Sequence, residues 1–143
     1  MIVKNILAAK RGDVVTIEAT ANLAAAVKLL TEQHIGAVVI LGADHRVIGI
    51  LSERDIVRAL AEHGATVLSE PVSQVMTRDV NTCSEDDAIG DLMGRMTIGK
   101  FRHLPVVRQG TLLGIVSIGD VVKSRVEEID QEAKTLREFI QNA

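Results

Sequence analysis

The sequence repeats itself, and this constrains the fold more than any other feature. Gly49-Ile50-Leu51-Ser52-Glu53-Arg54-Asp55 returns as Gly114-Ile115-Val116-Ser117-Ile118-Gly119-Asp120, at an offset of 65 residues. Val15-Thr16-Ile17 aligns with Asn81-Thr82-Cys83, and Ala37-Val38-Val39-Ile40 with His103-Leu104-Pro105-Val106, both at an offset of 66. The register loses one residue in the turn near Asp44-His45, which Gln109-Gly110 answers in the second copy. Upstream, Val3-Lys4-Asn5-Ile6-Leu7 aligns with Val72-Ser73-Gln74-Val75-Met76 at an offset of 69, leaving three extra residues in the first copy around Lys10 to Asp13. Matches fall in elements and length changes fall in turns, as expected of a duplicated structural unit.

Each copy reads in the same order. A short strand centres on Val14 to Ile17, or on Val80 to Cys83. A helix follows, with Leu23, Ala26, Val27 and Leu30, or Ile89, Leu92, Met93 and Met96, at helical spacing. Thr20 and Asp86 stand where N-caps are expected. A buried strand (Ala37 to Leu41; His103 to Val107), a turn and a second strand (Val47 to Leu51; Leu112 to Val116) come next. A helix closes each copy, from about Asp55 to Glu62 and from Asp120 onward. The fold class is therefore α/β (α+β), with two pseudo-symmetric β-α-β-β-α repeats over 1–66 and 67–125 and a C-terminal helix over 126–143. A repeat of about 65 residues buries too little surface to be securely stable alone, so the two are expected to share a core. Met76, Met93, Met96 and Cys83 read as core residues, and Gly90, Gly94 and Gly99 as sites of close helix packing.

The last stretch differs in pattern. Val122, Val126, Ile129, Ala133, Leu136 and Ile140 are spaced 4, 3, 4, 3 and 4. This seam of nearly three heptads suits either a long helix on its own domain or a helix pairing across a dimer.

Composition removes several classes of function. Phe101 and Phe139 are the only aromatic residues, which argues against stacking platforms for single-stranded nucleic acid. A net charge of −3 argues against a duplex-binding footprint. The single cysteine, Cys83, excludes an internal disulfide and a Cys-rich zinc site. His34, His45, His63 and His103 show no metal-ligand spacing, so no metal is expected. The longest apolar run, Ala37 to Leu41, is far short of the ~20 residues of a membrane span, and the first residues lack a signal-peptide pattern. A cytoplasmic protein without nucleic-acid or membrane partners is the expectation. No nucleophile elbow, Walker loop or activated cysteine occurs, so no enzyme is expected.

The motif that remains is Ser52-x-x-Asp55 and Ser117-x-x-Asp120, each following a strand and opening a helix. On its own each reads as a capping box. Chemically, each also suits a nucleotide: the helix N-terminus accepts a phosphate, and an acceptor-only carboxylate takes both hydrogens of a ribose diol. Capping and ligand binding can coexist.

The apolar-apolar-Ser-x-x-Asp signature, twice in β-α-β-β-α units, resembles a tandem pair of cystathionine β-synthase (CBS) domains, a Bateman module. Gly99-Lys100-Phe101-Arg102-His103-Leu104-Pro105-Val106-Val107 is similar to the family's strand-entry motif, and Ser52 to Arg58 resembles its counterpart in stand-alone bacterial CBS-pair proteins. The resemblance covers about residues 1 to 125. It implies adenosine-type ligands (AMP, ADP, ATP, NAD(H) or S-adenosylmethionine) held between the repeats, and dimers stacked as discs. It implies one cleft in which Asp120 holds the ribose and Ser117 lies nearby, Arg102 and His103 face the phosphate, and Leu7, Ile35, Gly36 and Ala37 frame the adenine. The pseudo-symmetric cleft would use Ser52 and Asp55, with Arg54 and Arg58 toward the phosphate and Met76, Phe101 and Arg102 on the base side. The expected function is a homodimeric adenine-nucleotide sensor acting in trans on a protein partner. A structural protein with empty clefts and a slow nucleotide hydrolase are the alternatives.

Overall fold

The computed structural model describes residues 1–10 and 13–142. Arg11 and Gly12, within the insertion expected around Lys10 to Asp13, and Ala143 of the C-terminal stretch lie outside the described residues. Among the described residues ten elements follow one another: α1 (Val3–Ala9), β1 (Thr16–Glu18), α2 (Leu23–Gln33), β2 (Ala37–Leu41), β3 (Val47–Ser52), α3 (Glu53–His63), α4 (Ile89–Gly99), β4 (His103–Arg108), β5 (Thr111–Ser117) and α5 (Ile118–Gln141), with short 3-10 turns at Ala43–His45, Ala65–Ser69 and Val72–Gln74.

The duplication is visible in the hydrogen bonding. In the first copy β1 runs parallel to β2, with Ile17 opposite Ile40, and β2 runs antiparallel to β3, with Val38 opposite Leu51. In the second copy β4 pairs with β5. The strand expected over Val80 to Cys83 shrinks to one parallel bridge, Cys83 to Val106. There the Cys83 N–H donates to the Pro105 carbonyl (3.0 Å) and the Val107 N–H to the Cys83 carbonyl (2.9 Å). Both members of that bridge stand 66 residues after Ile17 and Ile40, so the position is kept and only the length is lost. Asp79 and Asn81 flank Val80 there, and both residue types are poor strand formers.

Helix starts differ from expectation. Asn22, not Thr20, caps α2, its side chain accepting the Ala25 N–H at 2.8 Å. α4 starts at Ile89 with Ala88 at the cap position and no side-chain cap. Its nearby acids are used earlier: Asp87 accepts the Ser84 N–H at 2.8 Å in the preceding turn, the local bonding by which such side chains compete with helix. α4 buries Ile89, Leu92 and Met96, whereas Met93 is half-buried. Gly90 and Gly94 are not packing sites, because a Cβ at either would meet open space; at Gly99 it would meet the Phe101 ring.

The chain forms two compact units that are not the two sequential repeats. One gathers Met1–Gly12, Thr82–Val107 and Gly114–Ala143. Its buried residues include Val3, Ile6, Leu92, Leu104, Val106, Val116 and Val121, and α1 is tied in by the Val3 and Lys4 N–H groups donating to the Asp87 and Glu85 carbonyls, each at 2.9 Å. The other gathers Asp13–Asn81 and Arg108–Leu113, around a core of Leu23, Ala26, Leu30, Val38, Ile40, Leu51, Ile56, Val67, Val72 and Met76. Each repeat has thus given its first segment to the unit built on the other. In the first unit a Cβ on Gly114 of β5 would press on Leu7 of α1; in the second a Cβ on Gly49 of β3 would press on Met76. Leu7 and Met76 are the equivalent positions of the two copies, so the exchange is symmetric, and glycine on each hairpin admits the side chain that crosses it.

α5 is one continuous helix over Ile118–Gln141. It buries Val121 and Ser124 toward its own unit. The heptad seam lies elsewhere: Val122, Val126, Ile129, Leu136 and Ile140 are 44–65% exposed, and Ala133 is half-buried. The seam therefore does not lie on its own domain. Among the described residues no helix is long and apolar enough to cross a membrane, and no group of His, Cys, Asp and Glu could hold a metal ion.

Candidate functional site

Both Ser-x-x-Asp motifs form the capping boxes expected of them. At the head of α3, the Asp55 N–H donates to Ser52 Oγ at 3.3 Å, and Asp55 Oδ2 accepts the Ser52 N–H at 2.9 Å and the Ser52 hydroxyl at 3.1 Å. At the head of α5, the Asp120 N–H donates to Ser117 Oγ at 3.1 Å, and Asp120 Oδ2 accepts the Ser117 N–H at 2.9 Å. The first residue of each helix is also tied to the entry of the preceding buried strand. The Glu53 N–H donates to the Gly36 carbonyl at 3.0 Å, and the Ile118 N–H to the Arg102 carbonyl at 2.8 Å. These bonds carry strand entry, serine and carboxylate as one rigid corner in each unit.

Among the predicted residues, the first unit brings together Arg102, Ser117 and Asp120 at its corner, with Leu7 set against the same β5 strand at Gly114. His103 opens β4 next to Arg102; His103 is half-buried and Arg102 exposed. Ile35, Gly36 and Ala37, expected beside Asp120, stand in the second unit, where Gly36 belongs to the Ser52–Asp55 corner. That unit also holds Arg54 and Arg58 on α3, both exposed, and buried Met76 beneath β3. Phe101, expected with Asp55, stands in the first unit. A cavity of about 550 Å³ in the second unit takes in Asp55 and Arg58, and its wall continues through Glu62, Thr66 and Glu70 to Gln74 and Val75. We regard the corner as the site, because the same serine, carboxylate and strand-entry bonds recur in both units.

The two carboxylates differ in a partner that sequence reasoning missed. Asp55 Oδ1 accepts the Thr77 hydroxyl at 3.3 Å. Asp120 Oδ2 accepts the Lys10 ammonium at 2.8 Å, and the same ammonium donates to the Ile115 carbonyl at 2.9 Å. Burial pushes the Asp120 carboxyl up, but the hydrogen bonds from Lys10 and the Ser117 backbone outweigh it, and the group sits below the usual carboxylate range. The signal available was the insertion itself: Lys10 lies in the three-residue stretch that copy 1 has and copy 2 lacks. Cys83 is buried, and burial pushes its thiol up to about 11, with Asp87 adding to the effect and Arg95 opposing it.

The family model for the CBS domain matches this chain twice, over residues 3–62 and 72–127. The chain belongs to the CBS-domain family. The paired corners are then the two CBS repeats seen at the same step of the fold. The CBS-domain-containing protein ATU1752 of Agrobacterium tumefaciens superposes with a TM-score of 0.83 at 46% identity, covering 87% of this chain and 99% of that one. The CBS domain pair of protein MJ0100, solved with 5-methylthioadenosine and S-adenosyl-L-methionine, gives 0.79 at 25% identity over 90% and 98% of the two chains. The CBS domain protein PAE2072 of Pyrobaculum aerophilum, complexed with AMP, gives 0.74 at 25% identity over 84% and 89%. Some curated relatives are longer: this CBS chain spans 58% of the mitochondrial CBS-domain-containing protein CBSX3 of Arabidopsis thaliana, matched at 34% identity over 81% of this chain.

Proposed function

We propose that this CBS pair is a non-catalytic regulatory module that binds an adenosine-type ligand at its Ser-x-x-Asp corners. The observation that carries the reading is the state of Asp120. Its hydrogen bonds among the described residues land on Oδ2, so Oδ1 is left to accept from a ribose diol while the capping box stays intact. The adenosine compounds bound by MJ0100 and PAE2072 support the ligand class. AMP, ATP and NAD(H) are the candidates, with Arg102 and His103 toward the phosphate in one site, and Ser52, Arg54, Asp55, Arg58 and Met76 serving the other. The functional division follows the repeats, 1–66 and 67–125, with 126–143 serving assembly. The exposed seam of α5 favours a homodimer, and ligand binding would shift its conformational populations so that a cytoplasmic protein partner reads the change in trans.

The test is calorimetric titration of AMP, ATP, NADH, GMP and CMP, with turnover followed in the same samples. We expect saturable binding of adenine compounds, much weaker binding of the other bases, and unchanged nucleotide after incubation. No binding of any adenine compound at millimolar concentration overturns the sensor reading in favour of a structural protein. Stoichiometric conversion of a nucleotide overturns it in favour of an enzyme.

A further inference from the structure

The two corners are alike in backbone hydrogen bonding, serine and carboxylate, and differ in the side chain that meets the carboxylate. Asp55 is met by a neutral hydroxyl, Thr77, and Asp120 by a cation, Lys10. Lys10 is also fastened to the Ile115 carbonyl, one strand position before the residue preceding Ser117. An ammonium has three donors, and these two bonds use two of them. Lys10 can therefore stay on Asp120 and still offer a proton and a charge to a third group at the same corner. The diol and the 5′ carbon belong to one sugar, so a ligand held through Asp120 would bring its 5′ substituent to the corner where this donor stands.

We propose that Lys10 sets the ligand class of the Asp120 site, selecting adenosine compounds with a 5′-phosphate over adenosine itself and over those with a 5′-sulfonium. The assignment rests on the adenosine reading above and adds the charge that must lie at the 5′ position. A phosphate gains a charge-assisted hydrogen bond from Lys10. A sulfonium brings a second positive charge to the ammonium and is repelled. Adenosine gains and loses neither. The Asp55 site, with Thr77 in the same role, lacks this selection from its partner.

The experiment is calorimetric titration of the full chain with AMP, adenosine and S-adenosylmethionine, comparing wild type, Lys10→Ala and Lys10→Arg. Wild type is expected to bind AMP at least about tenfold more tightly than S-adenosylmethionine. Lys10→Ala should lose about tenfold in AMP affinity while holding or gaining affinity for S-adenosylmethionine, and Lys10→Arg should keep the wild-type preference. Lys10→Gln replaces Lys10→Ala if the latter melts below the assay temperature. Unchanged AMP preference in the neutral variants overturns the role of Lys10 and leaves the adenosine site standing. Tighter binding of S-adenosylmethionine than AMP by wild type does the same. Failure of wild type to bind all three overturns the adenosine reading and this assignment together.

Discussion

Asp120 and Asp55 cap equivalent helices, so replacing each by asparagine compares ribose binding with capping. Asp120→Asn keeps the shape but exchanges an acceptor for a donor. Hydrogen bonds to charged groups contribute about 1.5–3 kcal/mol each, so AMP affinity at that site should fall at least about tenfold. Asp55→Asn should affect mainly the other site. Calorimetry on both variants decides, and full retention of AMP binding by Asp120→Asn would remove its ribose role. The lowered Asp120 carboxyl also makes a pH prediction. Its stabilising contribution is complete above the unfolded carboxylate value of about 4 and is lost as pH falls through the lower folded value. Urea unfolding should therefore show a gap between wild type and Asp120→Asn at pH 7 that narrows by pH 3. At this scale the serine and aspartate of each corner were legible, because a fixed spacing after a strand has a chemical meaning. Lys10 and Thr77 were not, because their contacts depend on where a turn of irregular length brings the chain.

At the scale of elements, periodicity located the helices, while their ends depended on competing local bonds. Asn22 and Ala88 took the cap positions expected of Thr20 and Asp86. A cap is chosen by which side chain reaches an unpaired N–H, and several polar residues stood within two positions of each start. Helix α4 also carries two glycines whose missing side chains face open space. Gly94→Ala should stabilise the protein by about 1 kcal/mol, since alanine loses less backbone entropy in a helix and meets no neighbour. Thermal unfolding checks this, and a lower melting temperature would mean that α4 meets something beyond its own chain. At the bridge to β4, Cys83 is buried with a thiol raised to about 11. Alkylation at pH 8 should be much slower than for a free thiol, and should accelerate in denaturant.

The whole molecule follows from the duplication, which the offsets of 65 and 66 carry in the sequence itself. The offsets could not disclose which unit each first segment joins, because an alignment of two copies is blind to exchange between them. The exposed seam of α5 gives the prediction at this scale. Truncation after Val126 removes Ile129, Leu136 and Ile140, which are 48–65% exposed in the single chain. The shortened protein should dissociate at concentrations where the full chain stays dimeric by light scattering. An unchanged dimer would move the interface to another surface.

The reciprocal packing of Leu7 on Gly114 and Met76 on Gly49 has a consequence for inheritance. A single ancestral repeat could not cover its own hairpin with its own first segment in this geometry. It would have needed a second copy to lend that segment, as in a domain-swapped pair. Fusion of two such copies would turn a bimolecular association into an intramolecular one, with the gain in effective concentration that tethering brings. Fragments 1–66 and 67–143, made separately, should therefore each fail to fold cooperatively and regain the native circular dichroism spectrum when mixed.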